Sequence, residues 1–270
     1  MESRSRCVAW AAGLAVTTGC VPPGSNTGTP DAAAPAVQPL ARAAPAPSAP
    51  PPPPSDILRV PFEDDFSRTV QRRSSGDVDL FAAGVSDLGP NWVATAPGIW
   101  RVEGGKLCGE RAHNHGVWLV HALPVNARIE FDAISQSADG DIKAEYWGDG
   151  QSFATALSYS NATSYLTIFG GWHNKFHVLA RINEHGNDRK EITVDPRSDD
   201  PRERPAIAGQ QYHFKVERTD GRTVHWWVDG NEMATYSDTA PLTGVGHDHF
   251  GFNDWEVKVC FDGVRIVPLP

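Results

Sequence analysis

This chain predicts an all-β antiparallel sandwich, and three observations carry the prediction. Beyond residue 57, apolar and polar residues alternate with a period of two over several stretches; turn tripeptides separate those stretches; and no helical period is sustained over three turns. A run with one apolar and one polar face is a strand that packs on a core from one side, as strands of antiparallel sheets do. Ala127 to Ile134 sets Ile129, Phe131 and Ala133 against Arg128, Glu130 and Asp132. Asp141 to Trp147 sets Ile142, Ala144 and Tyr146 against Lys143, Glu145 and Trp147. Tyr212 to Arg218, Thr223 to Asp229 and Trp255 to Val267 alternate in the same way. Between such runs stand Glu103-Gly-Gly105, Ala138-Asp-Gly140, Gly148-Asp-Gly150, Thr219-Asp-Gly221 and Val228-Asp-Gly230, whose Asp-Gly and Gly-Gly steps suit the positive φ of tight turns. Residues 56–270 therefore read as one β-sandwich domain.

The first 55 residues are of another kind. Arg4 and Arg6 precede a short apolar segment, Val8 to Val16, and the small residues Thr17-Thr18-Gly19 follow it. This is the anatomy of a secretory signal over residues 1–19, with an apolar core too short to span a bilayer. The small residues ending at Cys20 resemble the lipobox of bacterial lipoproteins, although Thr17 stands where Leu, Val or Ile is usual. The resemblance implies lipid on Cys20 and an exported, membrane-anchored lipoprotein of the bacterial cell envelope, facing the periplasm or the surface. An ordinary signal peptide followed by an incidental cysteine is the other reading. Residues 21–55 contain 12 of the 22 prolines and 9 alanines, so residues 20–55 read as a disordered, semi-rigid stalk. At about 3 Å per residue, that stalk reaches roughly 100 Å.

Loss of the signal removes Glu2, Arg4 and Arg6 and takes the formal charge from -9 to -10. An acidic domain with scattered lysines and arginines argues against nucleic acid as a partner. Cys7 leaves with the signal and Cys20 takes lipid, which leaves Cys108 and Cys260. In an exported domain such a pair is most simply a disulfide, with two buried free thiols as the alternative.

Three segments suggest a family. Phe62-Glu-Asp-Asp-Phe66, Ile99 to Leu107 and Val259 to Ile266, with the hairpin Tyr212 to Gly230 between the last two, resemble concanavalin A-like lectin and glucanase jelly rolls over residues 60–268. The resemblance implies two curved sheets with sugar bound on the concave face, and a late strand beside an early one, which would bring Cys260 to Cys108. It also implies a structural calcium ion pinning the chain ends, with Asp64, Asp65 and Asp262 as oxygen ligands. The family's laminarinase-like members use Glu-x-Asp-x-x-Glu on one strand, where a retaining pair of carboxyl groups stands about 5–5.5 Å apart. Here Glu130-Phe-Asp132-Ala-Ile-Ser135 ends on a serine, which cannot protonate a leaving sugar.

The candidate ligand site rests on parity. Glu145 and Trp147 share the polar face of their strand, and an outward tryptophan beside a carboxylate suits a sugar. Phe169 to Asn174 reads as a glycine-rich turn bearing Trp172, and the next strand presents His177, Arg181 and Asn183 before His185. Arg181 can grip an anionic or polyhydroxyl ligand, or it can form an intersheet salt bridge. The expected site is Glu145, Trp147, Trp172, Arg181, His185 and Asn253, with the segment Asn253 to Glu256 on the rim. His113-Asn-His115 and His247-Asp-His249 have a spacing that suits a metal on a strand and occurs equally in loops. The functions these readings admit are a carbohydrate-binding module on an envelope lipoprotein, a glycoside hydrolase or polysaccharide lyase using Glu145, His185 and Arg181, and a structural envelope protein that binds another protein. No cofactor beyond the calcium ion is implied, and the membrane is reached through lipid alone.

Overall fold

The structure, a computed structural model, describes residues 57–67 and 88–270. The signal at 1–19, Cys20 and the stalk at 20–55 lie outside the described residues. Among the described residues no helix is long and apolar enough to cross a membrane.

Two antiparallel sheets make the sandwich, with strands numbered along the chain. The first sheet runs β13 (Asn231–Ser237), β12 (Thr223–Val228), β11 (Gln211–Arg218), β6 (Ala127–Ser135), β15 (Val259–Pro268), β4 (Lys106–Gly109) and β3 (Arg101–Glu103), and β1 (Phe62–Asp64) also pairs with β15. The second runs β10 (Lys190–Thr193), β9 (Phe176–Arg181), β8 (Tyr165–Gly170), β7 (Ile142–Gly148), β14 (His249–Asn253), β5 (Val117–Leu119) and β2 (Trp92–Ala94). This is the two-sheet antiparallel jelly roll that the sequence predicts. Glu103-Gly-Gly105, Thr219-Asp-Gly221 and Val228-Asp-Gly230 turn between paired strands. The other two turn signals do different work. Gly140 lies where the chain crosses from β6 in the first sheet to β7 in the second, and Gly148 to Gly150 opens the long segment before β8. Residues 255–258 are not strand, so the last alternating run begins at Val259.

Side chains pointing inward from both sheets fill the space between them. Phe131 stacks on Phe214 with ring centroids 5.0 Å apart, and Phe252 stacks on Phe261 at 3.9 Å. All four rings are buried. Each contributes on the order of 2–3 kcal/mol by leaving water. Cys108 and Cys260 face each other across β4 and β15 and form a disulfide, with Cα atoms 4.1 Å apart. Their neighbours Leu107 and Phe261 belong to the core, so the bridge sits on the outer face of the first sheet.

Candidate functional site

Alternation divides the second sheet into two surfaces. From β7, Ile142, Ala144 and Tyr146 join the intersheet core, and Lys143 and Glu145 point the other way. From β8 and β9, Leu166, Ile168, Val178 and Ala180 point the same way as Lys143 and carry a second apolar cluster with Ala154, Tyr159 and Ala162. The segment after β7 folds back over this outer face, and Tyr159 seals Glu145 beneath it. What it leaves open is a cleft of about 350 Å³. Trp172, Trp255, Leu157 and Ile168 form its apolar parts, and Asn114, Asp139, Asp141, Lys143, Glu184 and His185 are among its polar ones.

The floor is a buried polar network. Glu145 accepts hydrogen bonds from Ser164 Oγ at 2.6 Å, Asn253 Nδ2 at 2.6 Å and Tyr159 Oη at 3.1 Å. Burial pushes its carboxyl up to about 7 although these donors favour the charged form. Lys143 donates to Asn114 Oδ1 at 2.7 Å and to Glu184 Oε2 at 3.3 Å. Burial works to lower the Lys143 pKa, but the charges of Asp141, Glu184 and Asp254 outweigh it and raise the value. Asp254 accepts from the Ala112 backbone at 3.2 Å, while its Oδ1 is buried with no hydrogen-bond partner. Burial first and the neighbouring Asp141 second push its carboxyl up to about 7.

Trp172 is placed by an unusual turn. Gly170, Trp172, His173 and Asn174 all have positive φ, with Trp172 at φ 54 and ψ 50. For a non-glycine residue this conformation costs about 1–2 kcal/mol, so the surroundings must hold it. Asn174 does much of the holding: Oδ1 accepts from the Ala206 backbone at 2.9 Å, and Nδ2 donates to the carbonyls of Ala206 and Ala138 at 2.8 and 2.5 Å. The turn also presses on Gly140, where an added Cβ would lie 2.6 Å from the Gly170 carbonyl oxygen. The Trp172 ring meets His185 at 5.4 Å between centroids, and the Arg189 guanidinium lies 5.0 Å from its centre.

Of the six expected ligand residues, Trp172 and His185 line the cleft, and Glu145 and Asn253 lie buried under it. Trp147 and Arg181 do not belong to it. Against Gly148↔His249 and Tyr146↔Phe250, Trp147 is an extra residue: a β-bulge with φ 53 that turns its indole into the core. There it donates to the Pro124 carbonyl at 3.0 Å. Arg181 lies on the intersheet side of β9 and donates to Asp238 Oδ2 at 2.7 Å, an acid that also accepts from Tyr165 Oη. Arg181 thus takes the intersheet salt bridge, and the set Glu145, His185 and Arg181 is not assembled at one place.

The other expected groups are engaged elsewhere. Asp64 accepts from Trp92 Nε1 at 2.9 Å and Asp65 from the Ser67 backbone at 3.0 Å, and Lys106 forms an ion pair with Asp262. A cation at Asp262 would have to displace that ammonium. Among the described residues no group of three or more His, Cys, Asp or Glu side chains is arranged to hold a metal. His113 packs on Trp255 and His115 on Phe153, while His247 bonds to the Thr163 carbonyl and His249 to Asp248. Glu130 and Asp132 lie on the first sheet, beside Arg265 and His213. Of the segment Asn253 to Glu256, Trp255 and Glu256 line the cleft. Asp141, Lys143 and Glu184 were not singled out by sequence. For Lys143 the signal was present, since it shares a strand face with Glu145.

No protein-family model matches the chain, and no curated protein matches it significantly. Several solved structures are similar at low identity. The carbohydrate-binding module CBM66 from Bacillus subtilis is 16% identical, covering 65% of this chain and 94% of that one with a TM-score of 0.48. The Bacillus licheniformis β-glucanase is 11% identical, covering 77% and 98% with a TM-score of 0.48. The Crh5 transglycosylase is 12% identical, covering 80% and 88% with a TM-score of 0.47.

Proposed function

We propose that this domain binds carbohydrate in the cleft on the outer face of its second sheet. We propose further that it does so at the bacterial cell envelope, held by lipid on Cys20 and displayed on the stalk of residues 20–55. The observation that carries the binding reading is the pairing of two half-buried tryptophans, Trp172 and Trp255, with a fixed polar floor in one concave site. Indole faces pack on the C–H surfaces of sugar rings, and carboxylates and amides take their hydroxyls. The backbone strain at Trp172 supports the same reading, because the fold expends stability to present that ring. The Cys108–Cys260 disulfide suits an oxidising compartment outside the cytoplasm.

A glycan array probed with the mature chain tests the binding. A defined set of oligosaccharides should be retained, and Trp172→Ala with Trp255→Ala should abolish retention while the protein stays folded. Retention unchanged in that double variant would remove the cleft from consideration. The anchor is tested separately: the membrane-extracted protein should exceed the Cys20–Pro270 mass by its acyl groups, and Cys20→Ala should release it to the soluble fraction.

A further inference from the structure

The cleft is strongly acidic for a site that would take a neutral sugar. Its lining holds four carboxylates, Asp139, Asp141, Glu184 and Glu256, against the single ammonium of Lys143. That ammonium is already committed: it is bonded to Glu184 in the floor, where the two side chains are only 3% and 8% exposed. Of the acids facing the opening, Asp139 and Glu256 are compensated by imidazoles alone, His173 at 3.2 Å and His113 at 3.6 Å, whereas Asp141 accepts from the Trp255 backbone at 3.0 Å and shares the charge of Lys143. Arg189, over Trp172, is paired with Glu191. Behind the floor lies the buried Asp254, next in sequence to Trp255, with an oxygen that no protein group satisfies. Asp139 and Glu256 stand at the exposed rim, and the buried floor beneath them is the part of the site where charges are poorly screened. The indoles of Trp172 and Trp255 add faces that attract cations.

Resting on the reading of the cleft as a sugar site, we propose that it selects a cationic sugar, a hexosamine with a free amine. The amine meets the acids Asp139, Asp141 and Glu256 while the ring packs on tryptophan. N-acetylation removes the positive charge, and a uronic acid inverts it, so both are disfavoured.

The test is calorimetric titration of the mature protein with chitosan tetraose, its fully N-acetylated counterpart and cellotetraose, each at low and high ionic strength. The free amine should bind at least tenfold more tightly than the other two, and salt should reduce that preference. In Asp139→Asn/Glu256→Gln the ratio between the amine and the N-acetyl ligand should collapse. Equal affinity for the three ligands would overturn the inference and leave sugar binding standing, whereas binding of none would overturn both. Amine binding of undiminished strength in Trp172→Ala/Trp255→Ala would also overturn it, since that is capture by surface charge outside the cleft. Thermal melts of each variant separate loss of binding from loss of folding.

Discussion

The guanidinium of Arg218 lies 3.8 Å from the centre of the Trp147 indole, and both side chains are buried. Arg218 donates from Nε to the Val125 carbonyl at 2.6 Å and from Nη1 to the Leu242 carbonyl at 2.9 Å, and burial lowers its pKa to about 10. This stack locks the end of β7 to the first sheet.

Trp147→Ala should therefore act on stability. Loss of a fully buried indole costs about 3–5 kcal/mol, and Arg218 loses the ring that covers it. Denaturant unfolding should show that drop, while the fraction still folded keeps its ligand affinity. A stable variant that had lost binding would return Trp147 to the site.

Glu145 should make the protein less stable as pH rises. Its folded carboxyl is raised from 4.5 to about 7, so the folded state holds the proton more tightly than the unfolded state. The penalty is absent below about pH 4.5, grows as pH rises through the folded value and is complete above it, at about 3 kcal/mol. Melting temperature followed across that window should fall for the native protein, and Glu145→Gln should flatten this part of the profile. An unchanged slope would assign the dependence to another group, Asp254 first.

The Cys108–Cys260 bridge closes a loop across a sequence separation of 152. In the chain-entropy model such a loop contributes about 5 kcal/mol. Reduction, or Cys108→Ser/Cys260→Ser, should lower the unfolding midpoint by a corresponding amount, and alkylation of the unreduced, denatured protein should find no free thiol at either position.

Asn174→Ala should weaken ligand binding without contacting ligand. The substitution removes three side-chain bonds that hold the left-handed turn. With them gone, Trp172 can relax to ordinary φ and leave the cleft. Tryptophan fluorescence should report a more solvated indole, and affinity should fall about tenfold, whereas stability should fall by only about 1–3 kcal/mol.

Period-two alternation by itself determined the class of fold, the positions of β6, β7, β11 and β12 and most of β15, and the outward face of Lys143 and Glu145 on β7. It did so because every strand must present alternate residues to the core, whatever its partners are. The pairing of Cys108 with Cys260 was likewise legible as the simplest use of the two cysteines within the sandwich domain. Tertiary structure decided what depends on partners. Trp147 reverses its face because β14 pairs with β7 one residue short, and a one-residue bulge is a property of two strands rather than of one. Arg181 turns away from the cleft toward Asp238, which lies 57 positions on in another part of the chain. The cleft itself combines Asn114, Asp141, Glu184 and Trp255, four segments with no sequence spacing in common. A local pattern shows which way a side chain points relative to its own backbone. Only packing decides what it meets there, because contact between distant segments is set by sheet order and register.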